Sequence, residues 1–222
     1  MPAPIASEQS VDPLTELLGQ VRQASGGRLL ALHTDLARSP AALSAYLGLR
    51  RAGSDYGTLA PMVRVAIMLA VAVADDGAYS QAIATQLAIG AGMTPEQTVA
   101  VRTGQVADAR LAALLAVMRE AAVNTGRVTE ASWAAATAAG WSVAQLTEAF
   151  VFLTLTVFVD YFTHYARTEL DVPPARRYPA KGATDERAHT TAAAGLVAAG
   201  TVAIPHRSTR DGGRADRIHR RR

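Results

Sequence analysis

The stretch "DDGAYSQAIATQLAIGAG", Asp75 to Gly92, sets Gly77, Ser80, Ala84 and Ala88 at i, i+3, i+7 and i+11. On a helix these positions share one face, with Gln81 and Thr85 beside it. Ser80 could act as a nucleophile only with a base in hydrogen-bond reach, and the residue one turn on is Ala84, a methyl group. Its hydroxyl therefore reads as bonding back to the helix backbone. Asp75 and Asp76 read as the acidic start of this helix, stabilising its N-terminal dipole by about 0.3–1 kcal/mol each. The second polar cluster is Asp160, Tyr161 and His164, where Tyr161 and His164 are i, i+3 neighbours. A neutral imidazole beside a phenol is suited to acid–base work near neutral pH. Tyr161 and His164 are thus the candidate catalytic pair, and Gly77, Tyr79, Ser80 and Ala84 the candidate pocket wall. A hydrogen-bonded histidine at a subunit boundary fits the same pair.

Several chemistries are excluded or unsupported. The chain has no cysteine, which removes disulfides, thiolate metal sites, thiol peroxidase turnover and any cysteine nucleophile. Its five histidines have no Asp or Glu at metal-ligand spacing, so no metal site is expected. His33, in "LHTD", reads as a cation at a helix end. No glycine-rich phosphate loop is present, and no cofactor is expected.

The elements that must position these residues are helices. Asp12-Pro13, Ser39-Pro40 and Thr94-Pro95 each set a capping side chain before a proline at the first helical position. Gly26-Gly27, Gly53, Gly92, Gly126 and Gly140 mark stops. The punctuation predicts helices over 13–24, 29–37, 40–52, 60–74, 77–91, 95–103, 107–124, 130–139 and 143–167, with no competing period-two alternation. Thr94 with Gln97, and Ser142 with Gln145, have the spacing of capping boxes. Helices 60–74 and 143–159 are apolar nearly all round, which implies a central position or a subunit interface, and hence a homo-oligomer.

Charge is unevenly placed. From His206 to Arg222 seven arginines face Asp211 and Asp216, a local net of +5, so the rest of the +3 chain carries about −2. The body is not a nucleic-acid binder by charge. The start "MPAPIASEQSVDP" has neither a basic lead nor an apolar run, and the longest apolar runs, Val65 to Ala74 and Ala149 to Val159, fall short of a bilayer span of roughly 20 residues. A cytoplasmic protein with no membrane association is expected. The expected organisation is a lead-in with one helix at 1–28, a helical domain at 29–175, and a flexible low-complexity basic tail at 176–222.

The opening helix resembles the core of the carboxymuconolactone decarboxylase and alkylhydroperoxidase D-like family, whose active helix reads roughly N-x-C-x-Y-C-x-x-x-H-x-x-x-A-x-x-A-G-[LM]-[ST]. Without a gap, Asp75-Asp76 take the polar start, Tyr79 the tyrosine, and Ala88 with Ala91-Gly92-Met93-Thr94 the exit. The resemblance then puts Gly77 and Ser80 at the two redox cysteines and Ala84 at the histidine. The family's Arg-Glu pair on the preceding helix falls on Arg64-Val65. The resemblance runs through "LHTDLARSPAALSAYLGLRRA" and "VFVDYFTHYARTELDVP", about Leu30 to Pro174. It implies an all-α domain assembling as a trimer or hexamer, with a pocket beside the opening helix. The expected function is small-molecule binding, with cofactor-independent lyase or isomerase chemistry if catalytic. A non-catalytic oligomeric scaffold recruiting a partner through its basic tail is the alternative; residual space near Gly77, Ser80 and Ala84 lined by Tyr79, Tyr161 and His164 would favour the first reading, and a filled site the second.

Overall fold

The computed structural model describes residues 12–175, and the expected basic tail lies outside them. Among the described residues all regular structure is helical: α1 Pro13–Ala24, α2 Ala31–Leu36, α3 Pro40–Asp55, α4 Pro61–Ala74, α5 Ala78–Gly90, α6 Pro95–Thr103, α7 Ala109–Val123, α8 Glu130–Ala138 and α9 Val143–Ala166. The capping chemistry explains most of the boundaries. Asp12, Ser39, Thr94, Asp108, Thr129 and Ser142 each accept a bond from an otherwise unpaired backbone N–H. Both predicted capping boxes close, with Thr94 N–H on Gln97 Oε1 at 2.8 Å and Ser142 N–H on Gln145 Oε1 at 3.1 Å.

Helix α4 is the centre, packed by α5, α6, α7 and α9. Ala66, Ile67, Leu69, Ala70, Val71 and Ala72 are sealed from solvent, and the alanines let neighbouring helices approach closely. Two apolar cores meet along this axis. One gathers α4, α6, α7 and α8 with the first half of α9. The other gathers α1, α2 and α3 with Tyr79 of α5 and with Leu155 and Val159 of α9. Met68 packs against both. At 24 residues and a mean hydropathy of 1.5, α9 is long and apolar enough by length and composition to cross a bilayer, longer than its apolar run alone suggests. In this fold 44% of its most apolar 18-residue window is buried.

Two positions correct the sequence reading. Gly53 does not stop α3, which runs on to Asp55. It is buried where α3 meets α9, and a Cβ there would lie 2.9 Å from the Phe152 ring. Nor do Asp75 and Asp76 cap α5: Gly77 is its N-cap and supplies no side-chain bond, Asp75 ends α4, and Asp76 takes the left-handed turn at φ 54°. A short polar residue tolerates that conformation, so the pair makes the tight corner between the two helices.

The contrast between two glycines of α3 is testable. A Cβ on exposed Gly48 would meet nothing within 4 Å. Gly48→Ala should therefore raise stability by up to about 1 kcal/mol through helix propensity. Gly53→Ala should lower it by about 1–3 kcal/mol through overpacking. Urea denaturation measures both, and equal effects would remove the packing explanation.

Candidate functional site

The helix face picked out in the sequence opens on a cavity of about 490 Å³ at the seam of the two cores. Tyr79, Ser80 and Ala84 of α5 line it, and Met68, Leu155 and Val159 supply apolar wall. His33, Tyr46 and Arg50 add a polar side. After α9 the chain returns across α2, placing Val172 and Pro173 on the wall.

Asp171 fixes this return. Its Oδ1 accepts from the Tyr79 hydroxyl at 2.9 Å and its Oδ2 from Ala31 N–H at 2.9 Å, while Arg28 Nη2 donates to its carbonyl at 2.9 Å. Tyr79 also accepts from Leu32 N–H at 3.3 Å. Burial, the largest effect, pushes the Tyr79 hydroxyl well above its ordinary range, and Asp171 adds to it. Tyr79 is thus a fixed donor that ties three segments together.

His33 is a buried base, where the sequence suggested a helix-end cation. Its Nδ1 accepts from Leu30 N–H at 3.1 Å, so in the neutral ring Nε2 carries the proton and faces the Tyr46 hydroxyl at 3.4 Å. Burial, reinforced by the Arg50 charge, lowers its pKa from 6.5 to about 4. Arg50 donates to Tyr46 at 3.4 Å, and its guanidinium lies 5.7 Å from the centre of that ring.

Gly77, the position assigned to a cysteine by resemblance, is occupied from the far side. A Cβ on Gly77 would sit 2.0 Å from Asp160 Oδ1, so the α9 carboxyl fills the notch that the missing side chain leaves. Asp160 is 0% exposed. Burial, and secondarily the like charge of Asp75, raise its pKa from 3.8 to about 7, while the Ser80 hydroxyl pulls it the other way. Ser80 Oγ and both Asp160 oxygens are nonetheless buried without a hydrogen bond of normal geometry, as is Asp75 Oδ2. The hydroxyl and carboxyl are close enough to sense each other but are not locked together. Burial raises Asp75 as well, and His164 opposes that shift.

The structure brings Tyr79, Ser80 and Ala84 together at the cavity and sets Gly77 behind them against Asp160. Tyr161, 63% exposed, and His164, also exposed, are not on the cavity wall. They follow Val143, Thr147, Phe150, Thr154 and Val157 of α9 at alternating four- and three-residue steps, of which Val143, Thr147 and Phe150 are exposed, while Thr154 and Val157 are half-buried and Val157 packs on the first core. Sequence reasoning placed Asp160 in the polar cluster with Tyr161 and His164 but gave it no role of its own. The available signal was its position seven residues after Leu153 and four after Thr156, on the inner face of an otherwise apolar helix.

No model of a known protein family matches the chain, and no curated protein matches it. Among solved structures the fold is similar to that of the debrominase Bmp8, in a C82A variant in complex with 2,3,4-tribromopyrrole. The two are 13% identical, with a TM-score of 0.61 over 77% of this chain and 90% of that one.

The buried groups leave opposite marks on stability. His33, with its folded pKa depressed, contributes stability present above pH 6.5 and lost as pH falls toward about 4. Asp160, with its folded pKa raised, contributes stability present below pH 3.8 and lost as pH rises through about 7. Between about pH 4 and 6.5 the two slopes oppose each other. Relative to the unaltered chain, Asp160→Asn should make stability rise more steeply with pH across that window, and His33→Gln should make it fall, each by about 1–3 kcal/mol. Denaturant titrations at several pH values test this, and parallel curves for all three proteins would refute it.

Proposed function

We propose that the protein binds a small, largely apolar organic compound in this cavity and converts it by cofactor-independent proton transfer, as a lyase or isomerase of carboxymuconolactone decarboxylase-like ancestry. The observation that carries the reading is the open cavity on the small-residue face of α5. A filled site would have favoured the non-catalytic scaffold, whereas the space beside Ser80 and Ala84 supports ligand binding. The ancestry rests on the motif spacing from Asp75 to Thr94, together with a fold similar to that of a debrominase crystallised with a small heteroaromatic compound. With no cysteine in the chain, dehalogenation or peroxide reduction through a thiol is outside its chemistry.

Such a compound should emerge from a thermal-shift screen of small cyclic organic molecules and bind in a calorimeter. Ala84→Leu, which adds bulk at the cavity wall, should weaken it by tenfold or more, about 1.4 kcal/mol, with the fold retained. A hit whose affinity is unchanged in Ala84→Leu would place it elsewhere and remove the support.

We also infer self-assembly through the outer stripe of α9, with a second copy of the chain as occupant. The alternating four- and three-residue spacing suits helix-to-helix packing with an identical face. Phe150, Tyr161 and Tyr165 are 51%, 63% and 88% exposed in the single chain, a large aromatic surface to leave in water. This reading assigns Tyr161 and His164 to the subunit boundary. Light scattering should give a trimer or hexamer of the 23.3 kDa chain, and Phe150→Glu with Tyr161→Glu should shift it toward the monomer. A monomer mass for the unaltered chain at micromolar concentration would overturn it.

A further inference from the structure

The proposed function leaves open what the polar side of the cavity recognises, and the inference here rests on that cavity being the binding site. His33, Tyr46 and Arg50 all line it, and their hydrogen bonds converge on one atom, the Tyr46 hydroxyl oxygen. Leu30 N–H donates to His33 Nδ1 at 3.1 Å, which leaves the proton of the neutral imidazole on Nε2, 3.4 Å from that oxygen. Arg50 Nη1 donates to the same oxygen at 3.4 Å. A phenol oxygen that receives two N–H groups meets a third partner through its own proton. Among the described residues no acceptor takes that proton. Tyr79, the other phenol on the wall, is already committed: it donates to Asp171 Oδ1 and accepts from Leu32 N–H.

We propose that the Tyr46 hydroxyl is the specificity-determining donor of the cavity, held for a carbonyl oxygen of the bound compound, with His33 and Arg50 aiming and polarising it. The ligand class is then a small cyclic or aromatic carbonyl compound, in preference to a hydrocarbon of the same shape or an amine. A buried hydroxyl proton without an acceptor is unfavourable, and a carbonyl oxygen relieves it. A hydroxyl that accepts hydrogen bonds is also a stronger donor, because each bond polarises the next.

The charges on the wall support an oxygen acceptor independently. Arg28 and Arg50 line the cavity and no Asp or Glu does. Arg28 Nη2 is spent on the Asp171 carbonyl, whereas Arg50 has no carboxylate in ion-pair range among the described residues. The Arg50 guanidinium lies 5.7 Å from the centre of the Tyr46 ring, so its positive charge stays beside the hydroxyl. Such a charge strengthens the bond to an oxygen that gains negative charge and opposes a cationic amine. Burial and Arg50 hold the imidazole neutral down to about pH 4, and burial keeps the proton on Tyr46, so the donor set is unchanged through the neutral range. The opposite wall, with Met68, Ile83, Leu155 and Val159, suits the hydrocarbon part of such a compound.

Acetophenone and α-methylstyrene separate the outcomes, since they have nearly the same shape and differ in one C=O against one C=CH2. Binding of each to the full chain is measured by calorimetry at neutral pH. Acetophenone should bind about tenfold tighter, and its carbonyl stretch should move to lower frequency on binding, as read by infrared difference spectroscopy. Tyr46→Phe keeps the ring and removes the hydroxyl. It should abolish both the acetophenone advantage and the infrared shift, with α-methylstyrene binding unchanged because the cavity is intact. Arg50→Met should shrink the shift and narrow the affinity ratio, and it decides alone where Tyr46→Phe fails to fold: an unchanged shift there overturns the assignment. Equal affinities in the unaltered chain, or a ratio and shift that survive in Tyr46→Phe, would also overturn it while α-methylstyrene binding left the cavity reading intact. Failure of both probes to bind would overturn both.

Discussion

The contact on which the site depends is a carboxyl group seated where a side chain is missing. Asp160 of α9 enters the space that any residue larger than glycine would occupy at position 77, since a Cβ there would lie 2.0 Å from its Oδ1 and the carboxyl would have to move. Glycine 77 and aspartate 160 are therefore one decision made at two places in the chain. The consequence spreads outward. α5 starts without a capping side chain, the turn before it is made by Asp75 and a left-handed Asp76, and Ser80, one turn on, lines the cavity.

Such an arrangement has an energetic cost, and the protein meets it through protonation. An ionised carboxylate without partners in a dry interior is far more expensive than a neutral acid. Raising the pKa of Asp160 is the response expected of a carboxyl packed against apolar side chains with a second carboxyl, Asp75, nearby. On the other side of the cavity the same physics runs with the opposite sign: burial and Arg50 keep His33 neutral. Near pH 7 the fold thus holds a neutral imidazole on the cavity wall and, buried in the Gly77 notch, an acid close to its midpoint. That combination suits proton transfer better than charge recognition.

The fold was legible in the sequence because its signals are local. A capping side chain followed by proline, and a serine or threonine three residues before a glutamine, act within one turn, so every predicted helix has its counterpart among the described residues, with ends moved by a few positions. Gly53 was misread because a stop glycine and a packing glycine look alike until Phe152 is placed opposite. Ser80 and Ala84 were legible as one face of a helix, and they share the cavity with Tyr79, which the resemblance had singled out. The cavity's polar side was not: His33, Tyr46 and Arg50 come from two other helices, and nothing in one stretch of chain says that α2 and α3 will pack there. Asp171 was equally hidden, since its role exists only once the chain has returned from α9.

The resemblance to a thiol-based family and the absence of thiols are reconciled by geometry. Of the two positions that the resemblance gives to cysteines, one holds Ser80. The other holds Gly77, and a carboxyl from a different helix takes the space beside it. A thiol pair stores and releases electrons, whereas a carboxyl takes up and releases only a proton. The surroundings of the site are small residues on α5, an apolar wall from α4 and α9, and the segment after α9 that Asp171 ties down. Gly77 leaves the room that the Asp160 carboxyl takes, because a Cβ there would sit 2.0 Å from Asp160 Oδ1.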